Sequence, residues 1–288
     1  MRWWIAWGLL AAGCAAQRNA SSGEQAGECQ RLREQARTAE AKGDLKQAQA
    51  LLTQAVESSP THAQTRWELS EVLYERGSVD AAAGQLREFV ALNPDDPRGY
   101  VRLAETLLSQ QRVEEAGELV AEALQLDPNC TAGLVLQGRL HELQQKNDRA
   151  LESYHRAIIC DPDQIPARLH VAAIHLKEGQ PVRAAPVLRS ILSSPQATRG
   201  QKSEAQWLLG STYALQQRWP QAAAELAAAA ESRRMTPDEW YSLAYARYQS
   251  GDLAGARRDA DSALAASPGH TAALALQNTL AQRIARAQ

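Results

Sequence analysis

The chain has 288 residues, of which 54 are alanine, while the aromatic residues are seven tryptophans, seven tyrosines and one phenylalanine. Alanine is the best helix former and a poor strand former, so this composition predicts an all-α protein and disfavours β-sandwiches, barrels and parallel-sheet enzymes. The formal charge of -2 gives no reason to expect a nucleic-acid partner, since nucleic-acid binding normally calls for a basic face.

The first 13 residues are typical of a bacterial export signal. Arg2 precedes an uncharged apolar run, 3–12, which is too short to span a bilayer. Residues Ala11-Ala12-Gly13-Cys14 resemble a lipobox, although that motif most often has leucine where Ala11 stands. The resemblance implies a lipoprotein whose mature chain begins at a lipidated Cys14, anchored in the cell envelope and facing the periplasm. Alternatives are an ordinary signal peptide, or a misassigned start in front of a cytoplasmic protein.

Two further features concern this anchor. Ala15, where an aspartate is absent, points to sorting to the outer membrane. Residues 14–28 are then the lipidated cysteine and a flexible tether, because the stretch is polar, rich in small residues and without apolar periodicity.

A 34-residue period runs through the rest of the chain. Seven alanines repeat at this spacing, with one step of 38, and each lies twelve residues after a small residue. Prolines keep the same period from Pro60 to Pro162, and turn glycines stand five residues before four of the alanines. The alanines are Ala48, Ala82, Ala116, Ala150, Ala184, Ala222 and Ala256; the small residues are Ala36, Ser70, Ala104, Gly138, Ala172, Gly210 and Ala244.

This pattern resembles the tetratricopeptide repeat (TPR), a helix-turn-helix unit of 34 residues. The third unit shows it best, with Tyr100, Leu103 and Ala104, then Ala116 and Val120, then Pro128. The resemblance implies an all-α, right-handed α-solenoid of seven units over residues 29–270, with a capping helix at 271–288. The expected units are 29–62, 63–96, 97–130, 131–164, 165–202, 203–236 and 237–270.

Unit five is four residues longer than the others. The extra residues fall between Ser193 and Lys202, together with a displaced Pro195. We therefore expect a longer loop between units five and six.

Two cysteines of unit four could form a disulfide. Cys130 precedes the first helix of the unit and Cys160 ends the second, and antiparallel helices bring such positions together. An oxidising periplasm would permit the bond, and two small buried side chains are the alternative. The cysteine spacing does not suggest zinc.

The sequence contains no catalytic motif, and we expect neither an enzyme nor a cofactor or metal. It has no glycine-rich phosphate loop, nucleophile elbow or HExxH motif. His141 and His175 are 34 residues apart, so they occupy equivalent positions and are expected to be core or edge histidines.

Family resemblance implies a concave groove lined by the first helix of each repeat, where peptides or partner helices bind. The chain is therefore expected to be a scaffold or adaptor whose groove binds a protein partner. No small-molecule substrate is expected. The alternatives are the substrate-docking subunit of a separately encoded glycosyltransferase or peptidase, and a cytoplasmic adaptor. The predicted groove residues are Trp67, Glu71, Tyr74, Val101, Val135, Leu169, Trp207, Tyr241, Tyr245 and Tyr248. The tyrosines could instead pack on the C-terminal helix.

Overall fold

The computed structural model describes residues 25–285, apart from the side chain at position 284. Within this range the chain forms fifteen α-helices and no strand, which confirms the all-α prediction. The helices are α1 (25–41), α2 (Leu45–Ser58), α3 (Ala63–Glu75), α4 (Val79–Leu92), α5 (Pro97–Ser109), α6 (Val113–Leu126), α7 (Thr131–Leu143), α8 (Asn147–Cys160), α9 (Ile165–Lys177), α10 (Pro181–Ser193), α11 (Arg199–Leu215), α12 (Trp219–Ser232), α13 (Pro237–Ser250), α14 (Leu253–Ala266) and α15 (Thr271–Ala285).

Odd-numbered helices from α1 to α13 are the first helices of the repeats, and even-numbered helices are the second ones. Every first helix ends in the same turn, in which the residue after a left-handed one donates a backbone hydrogen bond to the carbonyl oxygen five residues before it. Four of the left-handed residues are glycines and three are Gln111, Gln145 and Gln217, with φ of 62°, 58° and 59°. The turn therefore recurs in all seven repeats, although glycine marks only four.

The described chain divides into two compact units, residues 25–140 and 141–285. In the first unit one core cluster joins α1 to α4 through Ala36, Ala48 and Leu69. A second cluster joins α4 to α7 around Leu86 and Leu103. Small side chains hold each pair of helices close together.

In the second unit a large core cluster runs from α9 to α13, and a smaller one joins α13, α14 and α15. Gly210 illustrates the close approach, because a Cβ on this residue would lie 2.6 Å from the Leu226 Cγ. The alanines that carry the 34-residue period are fully buried in both units. The period thus marks the contact between the two helices of each repeat.

The structure differs from the sequence-based expectations at two places. Residues 25–28, assigned to the tether, already belong to α1. The four extra residues of unit five lengthen α11 to 17 residues, against 13 in α9, and only residues 194–198 remain between α10 and α11. Thr198 makes a capping box with Gln201, which starts the longer helix early. The signal segment, Cys14 and the tether up to residue 24 lie outside the described residues.

α15 follows the pattern of a first helix on the side that packs against α13 and α14, where Leu276 and Leu280 are buried. On its other side Asn278 stands 34 residues after Ala244, at the position that is small in every repeat. Asn278 is exposed, so α15 presents a polar surface where a second helix would otherwise pack. No helix between residues 25 and 285 is both long and apolar enough to cross a bilayer.

Candidate partner-binding surface

A row of aromatic rings lies along α13. Tyr241, Tyr245 and Tyr248 are spaced by four and three residues, so they share one face of the helix. The ring centroids of Tyr241 and Tyr245 are 6.1 Å apart, and those of Tyr245 and Tyr248 are 6.5 Å apart. Trp219 at the start of α12 meets Tyr245 edge to face at 5.6 Å. These four residues are called the aromatic row below.

The aromatic row is backed by the core. Its three tyrosines are half-buried and pack against the cluster that joins α13, α14 and α15. The Arg283 guanidinium lies 5.1 Å from the Tyr248 ring centre, and the His270 ring lies 5.6 Å from that of Tyr241. Burial raises the pKa of the Tyr241 hydroxyl, with a smaller contribution from Tyr245. These rings thus pack partly on the C-terminal helix and remain partly exposed to solvent.

Trp207 on α11 is a second half-buried aromatic residue of this unit. It packs against the core cluster from α9 to α13, and the Arg233 guanidinium lies 5.7 Å from its ring. Arg233 is also paired with Glu239 near the start of α13. The Trp207 ring is therefore held in place by packing on one side and by a positioned cation on the other.

In the first unit the predicted groove residues already have partners within the chain. Arg102 of α5 donates two hydrogen bonds to Glu71 of α3, at 2.7 and 2.8 Å, and covers the Tyr74 ring at 4.7 Å. Trp67 meets the Phe89 ring edge to face at 5.1 Å. Glu71 and Tyr74 therefore connect successive first helices.

Three apolar residues of the predicted stripe differ in accessibility. Val101 and Leu169 are each only 6% exposed and belong to core clusters, so their assignment as partner-contacting residues is corrected. Val135 is half-buried.

An ion cluster between α1 and α3 was not predicted from the sequence. Glu68 accepts two hydrogen bonds from Arg33, both at 2.7 Å, and one from Arg37 at 2.6 Å. Burial opposes ionisation of Glu68, but the hydrogen bonds from the two arginines hold the pKa of this carboxyl below its usual value. The only sequence signal for this ion cluster is that residues about one repeat apart carry opposite charges. Many other pairs of charged residues in this chain have the same spacing, so the signal is weak.

The possible disulfide between Cys130 and Cys160 is not formed in this structure. The half-buried Cys130 side chain lies against the first turn of α7, where its Sγ is 3.5 Å from the position of a Cβ on Gly133. Cys160 is exposed at the last position of α8.

The two equivalent histidines lie in the second unit, at the ends of α7 and α9. The Nδ1 atoms of His141 and His175 are buried, and neither has a hydrogen-bond partner among the described residues. Burial, followed by nearby cations, lowers the pKa of both imidazoles, so they are neutral at pH 7. Between residues 25 and 285 no three His, Cys, Asp or Glu side chains are grouped as metal ligands.

Comparison with known proteins agrees with this geometry. A family model described as the tetratricopeptide repeat matches residues 33–97, 77–130, 101–165, 172–239 and 208–271. No protein with a curated description matches the chain.

Among solved structures, a tetratricopeptide repeat protein from Parabacteroides merdae is 15% identical, with 88% of this chain and 98% of that chain covered and a TM-score of 0.63. PilF of Pseudomonas aeruginosa is also 15% identical, with coverage of 75% and 97% and a TM-score of 0.67. YrrB, described as having an unusual peptide-binding site, is 20% identical, with coverage of 67% and 97% and a TM-score of 0.53. At these identities the similarity shows the fold alone.

Proposed function

Because the chain belongs to the tetratricopeptide repeat family, we propose that it is a non-enzymatic scaffold that binds a segment of a partner protein. Repeats of this kind support protein–protein interaction. The partner segment is a peptide or a helix that lies against the first helices of the second unit. The role of the scaffold is to help assemble a complex in the bacterial cell envelope.

The aromatic row is the observation that carries this proposal. Tyrosine and tryptophan offer a large contact area together with a polar group, and they are enriched where binding energy concentrates. Here four rings follow one another on α12 and α13, half-buried and fixed by packing from behind. Because these side chains are already ordered, they lose little conformational entropy when a partner covers them.

The envelope location is proposed from the lipobox-like residues that end at Cys14. A lipidated Cys14 would fix the chain to the membrane, and the polar residues that follow would allow movement on the order of 20 Å. The scaffold would then work by position, since it keeps its partner close to the membrane surface. Mass spectrometry of the purified protein tests this: an acylated Cys14 without residues 1–13 supports the anchor, and an intact Met1 contradicts it.

The binding surface is tested with the double variant Tyr241→Ala/Tyr245→Ala. We expect capture of the envelope partner to fall at least tenfold, because two centrally placed rings are removed. Tyr100→Ala is the matched control, since Tyr100 is also half-buried but lies on α5 in the first unit. Circular dichroism should show the same helix content for all three proteins. Full capture by the folded double variant would refute the assignment of this surface.

A further inference from the structure

A cleft lies on the second-helix side of the first unit, among residues that the proposed function does not use. It runs between α4 and α6, has a volume of about 370 Å³, and has α5 as its floor. The floor consists of Leu103 and Leu107, which are 4% and 2% exposed. Val90 of α4 and Leu119 of α6 form half-buried sides. Its volume is at the lower end of the range for specific binding sites and is enough for one or two apolar side chains.

The rim of the cleft carries more negative than positive charge. Glu115, Glu118 and Glu122 are spaced by three and four residues on α6, so they form one exposed acidic edge. Arg87 of α4 is the single cation that lines the cleft. Two bonds from Arg112 engage Glu115, and these hydrogen bonds lower the pKa of that carboxyl.

Glu118 and Glu122 are therefore the carboxylates that remain for a ligand. Neither makes an ion pair with another described residue. They are one helical turn apart, so two cations one turn apart on a partner helix would match them. Free phosphate, nucleic acid and fatty-acid carboxylates carry the wrong charge for this edge.

We infer that the α4–α6 cleft binds a basic amphipathic helix of a partner protein. One apolar side chain of that helix enters the cleft between the half-buried Val90 and Leu119, and Lys or Arg side chains one turn apart pair with Glu118 and Glu122. This is helix-in-groove recognition, in which the apolar anchor supplies affinity and the charges fix the orientation. The scaffold then has two independent docking surfaces, one in each unit.

The probe for this inference is a fluorescein-labelled 18-residue synthetic helix with leucines along one face and lysines on both sides of them. Fluorescence anisotropy with the full chain should show saturable binding that weakens as NaCl rises from 50 to 300 mM, because exposed charge pairs are screened. Two further peptides, with glutamate for every lysine or alanine for every leucine, should bind at least tenfold more weakly.

The site is tested with Glu118→Lys/Glu122→Lys, since both residues are exposed and the variant should fold normally. We expect at least tenfold weaker binding of the lysine-containing helix. The matched control is Glu88→Lys/Glu114→Lys, which makes the same charge change on α4 and α6 at exposed residues that do not line the cleft. The control variant should bind within twofold of the wild type.

Hydrogen exchange identifies where the probe binds. Bound peptide should protect amides in α4 and α6 and leave α13 unchanged, and Tyr241→Ala/Tyr245→Ala should bind the probe like the wild type. Equal losses in the two charge variants, or protection of α13 instead of α4 and α6, would overturn the inference. Full capture of the envelope partner by Tyr241→Ala/Tyr245→Ala would refute the proposed function and would not affect the inference about this cleft.

Discussion

The left-handed glutamines at the ends of α5, α7 and α11 should cost stability. Gln111, Gln145 and Gln217 have positive φ, at the position where the other four repeats have glycine. A side chain in this conformation meets the following carbonyl oxygen, and the penalty is about 1–2 kcal/mol per residue. Replacement by glycine removes that penalty. It also gives the unfolded chain more conformational freedom, and this offsets about 0.4–1 kcal/mol of the gain at each position.

The triple variant Gln111→Gly/Gln145→Gly/Gln217→Gly should therefore gain about 2 kcal/mol in the free energy of unfolding. The three sites lie in different repeats, so their effects should add. For a chain of this size a gain of 2 kcal/mol corresponds to a rise in Tm of roughly 3–4 °C. Thermal melting followed by circular dichroism at 222 nm measures it.

The neighbouring glutamines provide a matched control. Gln110 and Gln216 immediately precede two of these residues and have φ of -91° and -83°. Glycine at either position should lower stability by about 0.5–1 kcal/mol, because no strain is relieved and backbone freedom in the unfolded chain increases. An unchanged or lower Tm for the triple variant would refute the reasoning that these turns are strained.

Three further predictions concern the core. Gly210→Ala should cost about 1–3 kcal/mol despite alanine's better helix propensity, because its Cβ would lie 2.6 Å from Leu226; urea denaturation measures it. Glu68→Gln should cost about 2–4 kcal/mol because it leaves the buried Arg33 without its carboxylate, and an unchanged urea midpoint would contradict this. Burial raises the pKa of Asp259 to about 6, above its ordinary 3.8, so between pH 4 and pH 7.5 the wild type should lose roughly 2–3 kcal/mol relative to Asp259→Asn. Parallel pH dependences of the two proteins would contradict the last prediction.

The period of the sequence predicted the fold because each repeat meets the same steric demand. Close approach of two helices requires a small residue on each, and that demand recurs every 34 residues as in Ala104 and Ala116. The three glutamine turns were missed, because glutamine has no preference for positive φ and the surrounding helices impose it. The lengthening of α11 was missed because a sequence insertion does not show whether it adds loop or helix. In this chain the capping box at Thr198 starts α11 early, so the extra residues are helical.

The candidate surface was harder to predict than the fold. Helical spacing correctly put Tyr241, Tyr245 and Tyr248 on one face, but it could not show that Trp219 of the preceding helix continues the row. Spacing also gave no measure of depth, so the buried Val101 was assigned to the surface. The charge pairs between successive first helices depend on side-chain reach across repeats. That information is absent from a repeat period.

The central claim is that the first-helix face of the second unit contacts a partner, and site-specific photo-crosslinking in the native cell tests it most directly. A benzophenone amino acid is placed at Tyr245 or at Trp207, and at the exposed Arg257 of α14 as a control. We predict one adduct of the same mass from positions 245 and 207 and no such adduct from position 257. Adducts of that mass from position 257 alone, with none from 245 and 207, would contradict it.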